Sequence, residues 1–343
     1  MRQSAIPRWA GFLVLAAMTV TLFVLTFVGV LLTAPMVSVI KTVVVIGLAS
    51  GFYMEVRRIA GLQESSGEGL SRSLISDSVA DLAAVFLGTA VTFLISVEFG
   101  LGAVVASGLV GLLGAALIKG HAVAIFCGSF VGMSSPAVFA YFQWILLAGA
   151  IAALLFVLAR SVLNGFGGKL GTIGFFGAVT AALIGGLQLQ SVAVPGGTDA
   201  LWIVGYSVVA AVITYTLNVY LRNGPVVASA LVGIAAGLLL PAIHGPEVGP
   251  TLAVMAFCAS FAGMSSPERL PTALAAALAG LFCGMVFLYA SPYFGGAGGK
   301  LGTIAFGSTI AVWGLTQLAR PALRRGAGLL RMIHTPWTPG ARV

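Results

Sequence analysis

Six serines and two lysines stand in strings that this chain carries twice. Residues 126–136 read FCGSFVGMSSP and residues 257–267 read FCASFAGMSSP. At a matched distance downstream, GGKLGTI occupies 167–173 and again 298–304, so both pairs are offset by 131 positions. In the first motif, Gly132 and Gly263 tolerate backbone angles that end a helix. Ser135 and Ser266 suit N-caps, with Pro136 and Pro267 at the first position of a following helix. A helix that stops and restarts leaves carbonyls on one side and N–H groups on the other without intrahelical partners. Ser134, Ser135, Ser265 and Ser266 put hydroxyls at that break. In the second motif, the glycines permit a tight backbone and Thr172 or Thr303 suits the cap of the next helix. Lys169 and Lys300 add a full positive charge beside the positive end of that helix's dipole, a pairing that attracts an anion or a carboxylate. The substrate-binding candidates are therefore Gly132, Ser134, Ser135, Lys169 and Thr172 in the first copy. Their counterparts are Gly263, Ser265, Ser266, Lys300 and Thr303.

Simpler readings compete with each motif. One GMSSP alone reads equally well as an interhelical turn at a membrane surface, and one lysine alone as a snorkelling side chain. Two near-identical copies imply that both meet equivalent constraints. A P-loop is excluded because G-x-x-x-x-G-K-[ST] is absent: Leu170 and Leu301 follow the lysines.

The elements that position these motifs must lie in a bilayer. Apolar residues make up 59% of 343 positions and charged residues 8%, with mean hydropathy +1.09. A soluble chain carries about 25% charged residues, and this one could not cover a water-facing surface. The net charge of +8 sits at termini and in short connections, as cytoplasmic loops of membrane proteins require, and does not form a nucleic-acid-binding stripe. Cys127, Cys258 and Cys283 lie in apolar runs without metal or disulfide spacing. They read as small residues at helix contacts. The run Trp9–Thr33 is too long for a secretory signal and reads as a retained first span.

Hydropathy predicts twelve segments: 9–33, 37–54, 76–97, 102–118, 121–134, 137–160, 172–188, 200–221, 225–241, 251–265, 271–291 and 302–319. With all twelve spanning and the N-terminus cytoplasmic, every loop Lys or Arg except Lys300 falls inside. If 121–134 and 251–265 are re-entrant instead, Arg160, Lys169 and Arg222 move outside. The identical VVAS at 104–107 and 226–229 extends the duplication upstream with an offset of 122. The nine extra residues fall around Pro241–Pro250. Residues 76–190 form one repeat and 200–320 the other. Five spans per repeat, an odd number, put the second copy upside down. Residues 1–75 form a leading hairpin with a cytoplasmic loop, and 321–343 a basic cytoplasmic tail. The expected fold is all-α and polytopic: two leading helices, then a 5+5 inverted repeat with discontinuous or re-entrant helices. This plan resembles that of urea channels and bile-acid-type symporters at the level of architecture, which carries no residue or substrate across.

The nine acids fall mostly in loops or at span ends. Asp81 and Glu98 alone are placed to sit at depth, and neither has an acidic counterpart in the other repeat. A cation antiporter built on paired carboxylates is therefore disfavoured. Thr92 with Thr214, Ser107 with Ser229, and Asn218 rank as second-tier polar candidates. After GMSSP, Glu268 and Arg269 in the second copy read as an exposed ion pair or as a latch on one side. His121 has no acid placed to orient it and no G-x-S-x-G is present, so enzyme activity is not expected, nor are a metal or a cofactor. The composition fits a transporter or channel in the inner membrane, with both termini cytoplasmic. It would move a small anion or carboxylate between two inverted repeats. A channel for a small neutral polar solute is the next reading. A non-transporting subunit that anchors a partner complex through its tail is the third. The expected partners are the lipid bilayer, the solute and a second copy of the chain in a homo-oligomer, with no nucleic acid.

Overall fold

The computed structural model describes residues 6–33, 38–61 and 72–334, with side chains over 8–29, 39–61 and 78–320. Glu64, Glu68 and Arg342 lie outside the described residues, as do the side chains of Asp77, Arg324, Arg325 and Arg331. Among the described residues eleven α-helices run in order: α1 Ile6–Thr33, α2 Ser38–Gly61, α3 Arg72–Val97, α4 Ala103–Leu117, α5 Ala122–Gly132 and α6 Phe142–Leu158. They continue as α7 Lys169–Gly185, α8 Gly197–Tyr215, α9 Pro225–Gly263, α10 Ala273–Ala290 and α11 Lys300–His334. The described residues contain no strand. Seven helices (α1, α2, α3, α8, α9, α10 and α11) are long and apolar enough to cross a membrane. Helices α4, α6 and α7 are shorter apolar helices, and α5 has 11 residues. Leu13, Leu87, Leu183 and Leu201 are large exposed apolar side chains on these helices, as lipid contact allows.

Helix α9 runs through Pro241–Pro250, the expected connection between the predicted spans 225–241 and 251–265. Those residues are helical except at Gly245, whose φ of 77° and ψ of 175° are open to glycine and little else. Pro246 then starts a new helix, where its missing N–H is not needed. The two halves fold back on each other. A Cβ on Gly249 would collide with Pro241, and Ser229 meets Ser260 at 2.8 Å. This hairpin has its equivalent in α4 and α5, where Ser107 meets Ser129 at 2.8 Å. Gly111 lies against the Phe126 ring in one hairpin and Gly233 against the Phe257 ring in the other.

The leading helices pack on the outside of the repeats. Helix α2 runs close along α11, where Gly314 approaches the Gly47 carbonyl. Glu55 was expected in a loop, but α2 continues to Gly61 and buries it. Its carboxylate takes the Arg269 guanidinium, which also donates to the Asn164 carbonyl at 3.1 Å and lies over the Phe166 ring at 4.1 Å. Arg269 is therefore a buried residue paired with α2, and the exposed Glu268–Arg269 pair is corrected. A buried guanidinium needs a counter-charge, and exposed Glu268 does not supply it. Lys41 lies within α2, buried, 3.8 Å over the Tyr289 ring.

Candidate functional site

The two motifs of one repeat engage the two motifs of the other. Ser265 Oγ accepts the Gly167 N–H at 3.0 Å, and Ser134 Oγ accepts the Gly298 N–H at 3.0 Å. The Ser266 N–H donates to the Gly165 carbonyl and the Ser135 N–H to the Gly296 carbonyl, each at 2.9 Å. Every one of these bonds has a partner displaced by 131 residues, so the contacts exchange under a local two-fold. Glycine is required at the staple. A Cβ on Gly167 would run into the Phe261 carbonyl, and one on Gly298 into the Phe130 carbonyl.

The local roles expected of the motifs change in three ways. Helices α5 and α9 end at Gly132 and Gly263, as expected. Ser135 and Ser266, however, do not start the next helix. Each carbonyl accepts from the third and fourth residues on, which closes one tight turn. The chain then leaves extended, and α6 begins only at Phe142 and α10 at Ala273. Thr272 caps α10, accepting from the Ala275 N–H at 3.2 Å. The threonines of GGKLGT are not caps either. Helices α7 and α11 begin at the lysines, with left-handed Gly168 (φ 87°) and Gly299 (φ 82°) as N-caps. Thr172 turns its hydroxyl back to Gly168, and Thr303 Oγ1 is buried with no partner among the described residues. Third, Ser134 and Ser265 are buried and occupied by the cross-repeat staple.

Lys169 and Lys300 have different settings. Lys169 Nζ donates to the Ala159 and Val162 carbonyls at 2.7 and 2.6 Å and to Asn164 Oδ1 at 2.6 Å. All three ammonium hydrogens are spent, and the charge neutralises the carbonyl end of α6. Lys300 Nζ donates to the Ala290 carbonyl at 2.7 Å, its one bond among the described residues. Cys127 and Cys258 repeat each other: both sulfurs are buried and point at the carbonyls of Leu170 and Leu301, at 3.4 and 3.2 Å.

Two cavities, of about 410 and 400 Å³, flank this junction. Gly165, Gly167, Gly168, Lys169, Leu170 and Ser266 line the first. Their equivalents Gly296, Gly298, Gly299, Lys300, Leu301 and Ser135 line the second. Each cavity thus takes its lysine from one repeat and its GMSSP serine from the other. Phe130 and Phe261 line both. Their rings stand 4.7 Å apart and are almost fully buried, with Phe126 at 4.5 Å from Phe130 and Phe257 at 4.6 Å from Phe261. The first turns of α7 and α11 come side by side here, since a Cβ on Gly171 would sit 2.6 Å from Gly302 Cα. The amides of Lys169, Leu170, Gly171, Lys300, Leu301 and Gly302 have no acceptor among the described residues. Sequence reasoning passed over the four phenylalanines. Their signal was present in each FC-x-SF string as an i, i+4 aromatic pair, which stacks on one helix face.

The mouths differ. Asp81, one of the two acids placed to sit at depth, is buried and lines the first cavity. It meets His121 Nδ1 at 2.7 Å and Arg160 Nη2 at 3.3 Å, so an acid does orient His121, contrary to expectation. The residues equivalent to Asp81 and Arg160 are Ile203 and Ser291, so the second mouth lacks this cluster. Glu98 lies exposed at the end of α3. Asn218, in a π-helical turn that ends α8, donates to the Gly263 carbonyl at 3.2 Å. Thr92 and Thr214 bury hydroxyls with no partner among the described residues against Gly132 and Gly263. Compared with known family models, curated proteins and solved structures, the chain matches none.

Proposed function

We propose that the chain is a membrane transporter or channel that moves a small anion between two inverted repeats. The single observation that carries this reading is the pair of repeat-equivalent cavities that end on the same two phenylalanines. Such a pair is what a pathway with a pseudo-two-fold axis in the membrane plane requires. Each cavity is floored by a helix N-terminus whose first amides are free, with a lysine at its start. Free amides and the positive dipole end favour an anion and disfavour a cation. Dividing α9 at Gly245 gives twelve helical segments, which fits twelve spans and five per repeat. Arg160 and Lys169 line the first cavity, and Arg58, Arg269 and Arg320 line a neighbouring one that shares Asn164, Gly165 and Ser266 with it. The second cavity has Lys300 alone among lysines and arginines. That asymmetry supports a cytoplasmic first mouth, cytoplasmic termini and insertion in the inner membrane.

Within this reading the candidate residues divide by task. Ser135, Ser266, Lys300 and the amides at 169–171 and 300–302 face the solute. Ser134, Ser265, Gly132, Gly263, Thr172 and Thr303 hold the two motifs in place. Lys169 contributes its charge through α6 rather than by direct contact. His121 Nδ1 and His244 Nε2 pair with Asp81 and Tyr206 rather than with a GMSSP serine, and this favours transport over hydrolysis.

Flux through liposomes that contain the purified chain alone tests the proposal. The chain is expected to release trapped nitrate or formate faster than empty vesicles, with Lys300→Ala lowering apparent affinity. Release no faster than from empty vesicles for every anion tried would remove the reading and leave the partner-anchoring role.

A further inference from the structure

We infer that Phe130 and Phe261 are the selectivity element of the pathway, and that the species crossing between the cavities is a small, weakly hydrated monovalent anion. The inference rests on the anion-pathway reading above and adds the class of anion. Phe130 and Phe261 are the two residues that both cavities share, and their exposures are 2% and 1%. With Phe126 and Phe257 they form a continuous ring cluster, since Phe130 also lies 6.3 Å from Phe257 and Phe126 lies 6.4 Å from it. The wall common to both cavities is made by the Phe130 and Phe261 rings, so a solute that crosses there passes these two rings, with Phe126 and Phe257 packed behind them.

The polar side chains next to the rings are already engaged. Ser129 and Ser260 follow the helices of the rings, but each hydroxyl is bonded to Ser107 or Ser229 and to a carbonyl one turn back. The cysteine between each pair of rings points its sulfur at a carbonyl. A solute at the rings therefore sheds water without gaining side-chain hydrogen bonds. The cost of moving an ion out of water rises with the square of its charge, so a dianion meets roughly four times the barrier of a monoanion of similar size.

The electrostatics at the rings favour negative charge over none. The adjoining first turns of α7 and α11 bring two positive dipole ends to the junction, where Gly171 and Gly302 nearly touch. Two like ends side by side repel, and a monoanion between the cavities relieves that repulsion. Hydration set by the rings and sign set by the helix ends together select a monovalent, weakly hydrated anion. Sulfate and hydrogen phosphate are excluded by the rings, and alkali cations by the helix ends.

The experiment is a flux series in proteoliposomes of the full chain with thiocyanate, nitrate, formate, sulfate and phosphate, with urea as the neutral probe. The monovalent anions are expected to cross at least about a hundredfold faster than sulfate or phosphate. The double variant Phe130→Ala/Phe261→Ala is expected to raise sulfate flux at least about tenfold relative to nitrate. Phe130→Leu/Phe261→Leu keeps most of the buried volume and is the variant to use if alanine prevents folding. It is expected to shift the ratio in the same direction. Sulfate crossing as fast as nitrate in the native chain would overturn the inference and leave the anion pathway standing. An unchanged ratio in a folded double variant would also overturn it, because the rings would then not set selectivity. Urea flux with no anion flux, or no flux of any probe, would overturn the anion pathway itself and the inference with it.

Discussion

Removing the two lysines one at a time should give unequal results, although the sequence presents them as twins. Lys169→Ala deletes a charge that satisfies three acceptors: the Ala159 and Val162 carbonyls and Asn164 Oδ1. Hydrogen bonds to a charged group contribute about 1.5–3 kcal/mol each, but bonds that share one donor do not add fully. The α6 end also loses the favourable dipole term, about 0.3–1 kcal/mol. A loss of about 3–5 kcal/mol follows for Lys169→Ala. Lys300→Ala deletes one such bond and should lose about 1.5–2.5 kcal/mol. Thermal unfolding of both variants in one detergent, followed by tryptophan fluorescence and aggregation, reads the difference directly. The flux assay then separates the roles. Lys300→Ala should fold and bind nitrate more weakly, with a half-saturating concentration raised about tenfold, while Lys169→Ala should fail mainly through instability. Equal unfolding temperatures for the two variants would refute the argument, as would a Lys169→Ala protein as stable as the native chain.

The buried Glu55–Arg269 pair gives a second prediction. Glu55→Gln leaves a buried guanidinium without its counter-charge and should cost about 3–5 kcal/mol, whereas the double change Glu55→Met/Arg269→Met should recover most of that loss; unfolding midpoints of the three proteins check the cycle. Gly245→Ala places a Cβ where φ is 77° and ψ is 175°, and should destabilise the α9 hairpin by about 1–3 kcal/mol in the same assay. Ser134→Ala and Ser265→Ala each strand a buried glycine N–H in the other repeat, at about 1–3 kcal/mol, and the two losses should be similar because the staples are equivalent.

Much of the frame was legible in the chain. Each of the twelve hydropathy segments is covered by helix, two of them by α9, although seven helices are long and apolar enough to cross a membrane. Helices α5 and α9 do end at Gly132 and Gly263, but neither glycine has a positive φ; each instead leaves room for a close approach to the Thr89 or Ala211 carbonyl. What could not be read was the exchange between repeats. Ser265 and Gly167 are 98 residues apart and Ser134 and Gly298 are 164 apart, and no local pattern pairs a hydroxyl with an amide at that range. Ser135 and Ser266 were misplaced as caps for the same reason. Their own N–H groups bond to Gly296 and Gly165, which holds the chain in a turn instead of letting it enter a helix. The Asp81–His121–Arg160 cluster joins three separate elements, and Arg269 finds Glu55 across 214 residues. Burial drives both choices, since a charge at depth takes whichever counter-charge the packing brings to it.

The proposed pathway requires the two cavities to open on opposite faces of the membrane. Arg160→Cys and Ser291→Cys, at repeat-equivalent positions that line the first and second cavities, test it most directly. The native cysteines Cys127, Cys258 and Cys283 are fully buried and give a low background. A membrane-impermeant maleimide should label Arg160→Cys from the cytoplasmic face alone and Ser291→Cys from the outer face alone. Labelling of both positions from one and the same face would contradict the inverted pathway.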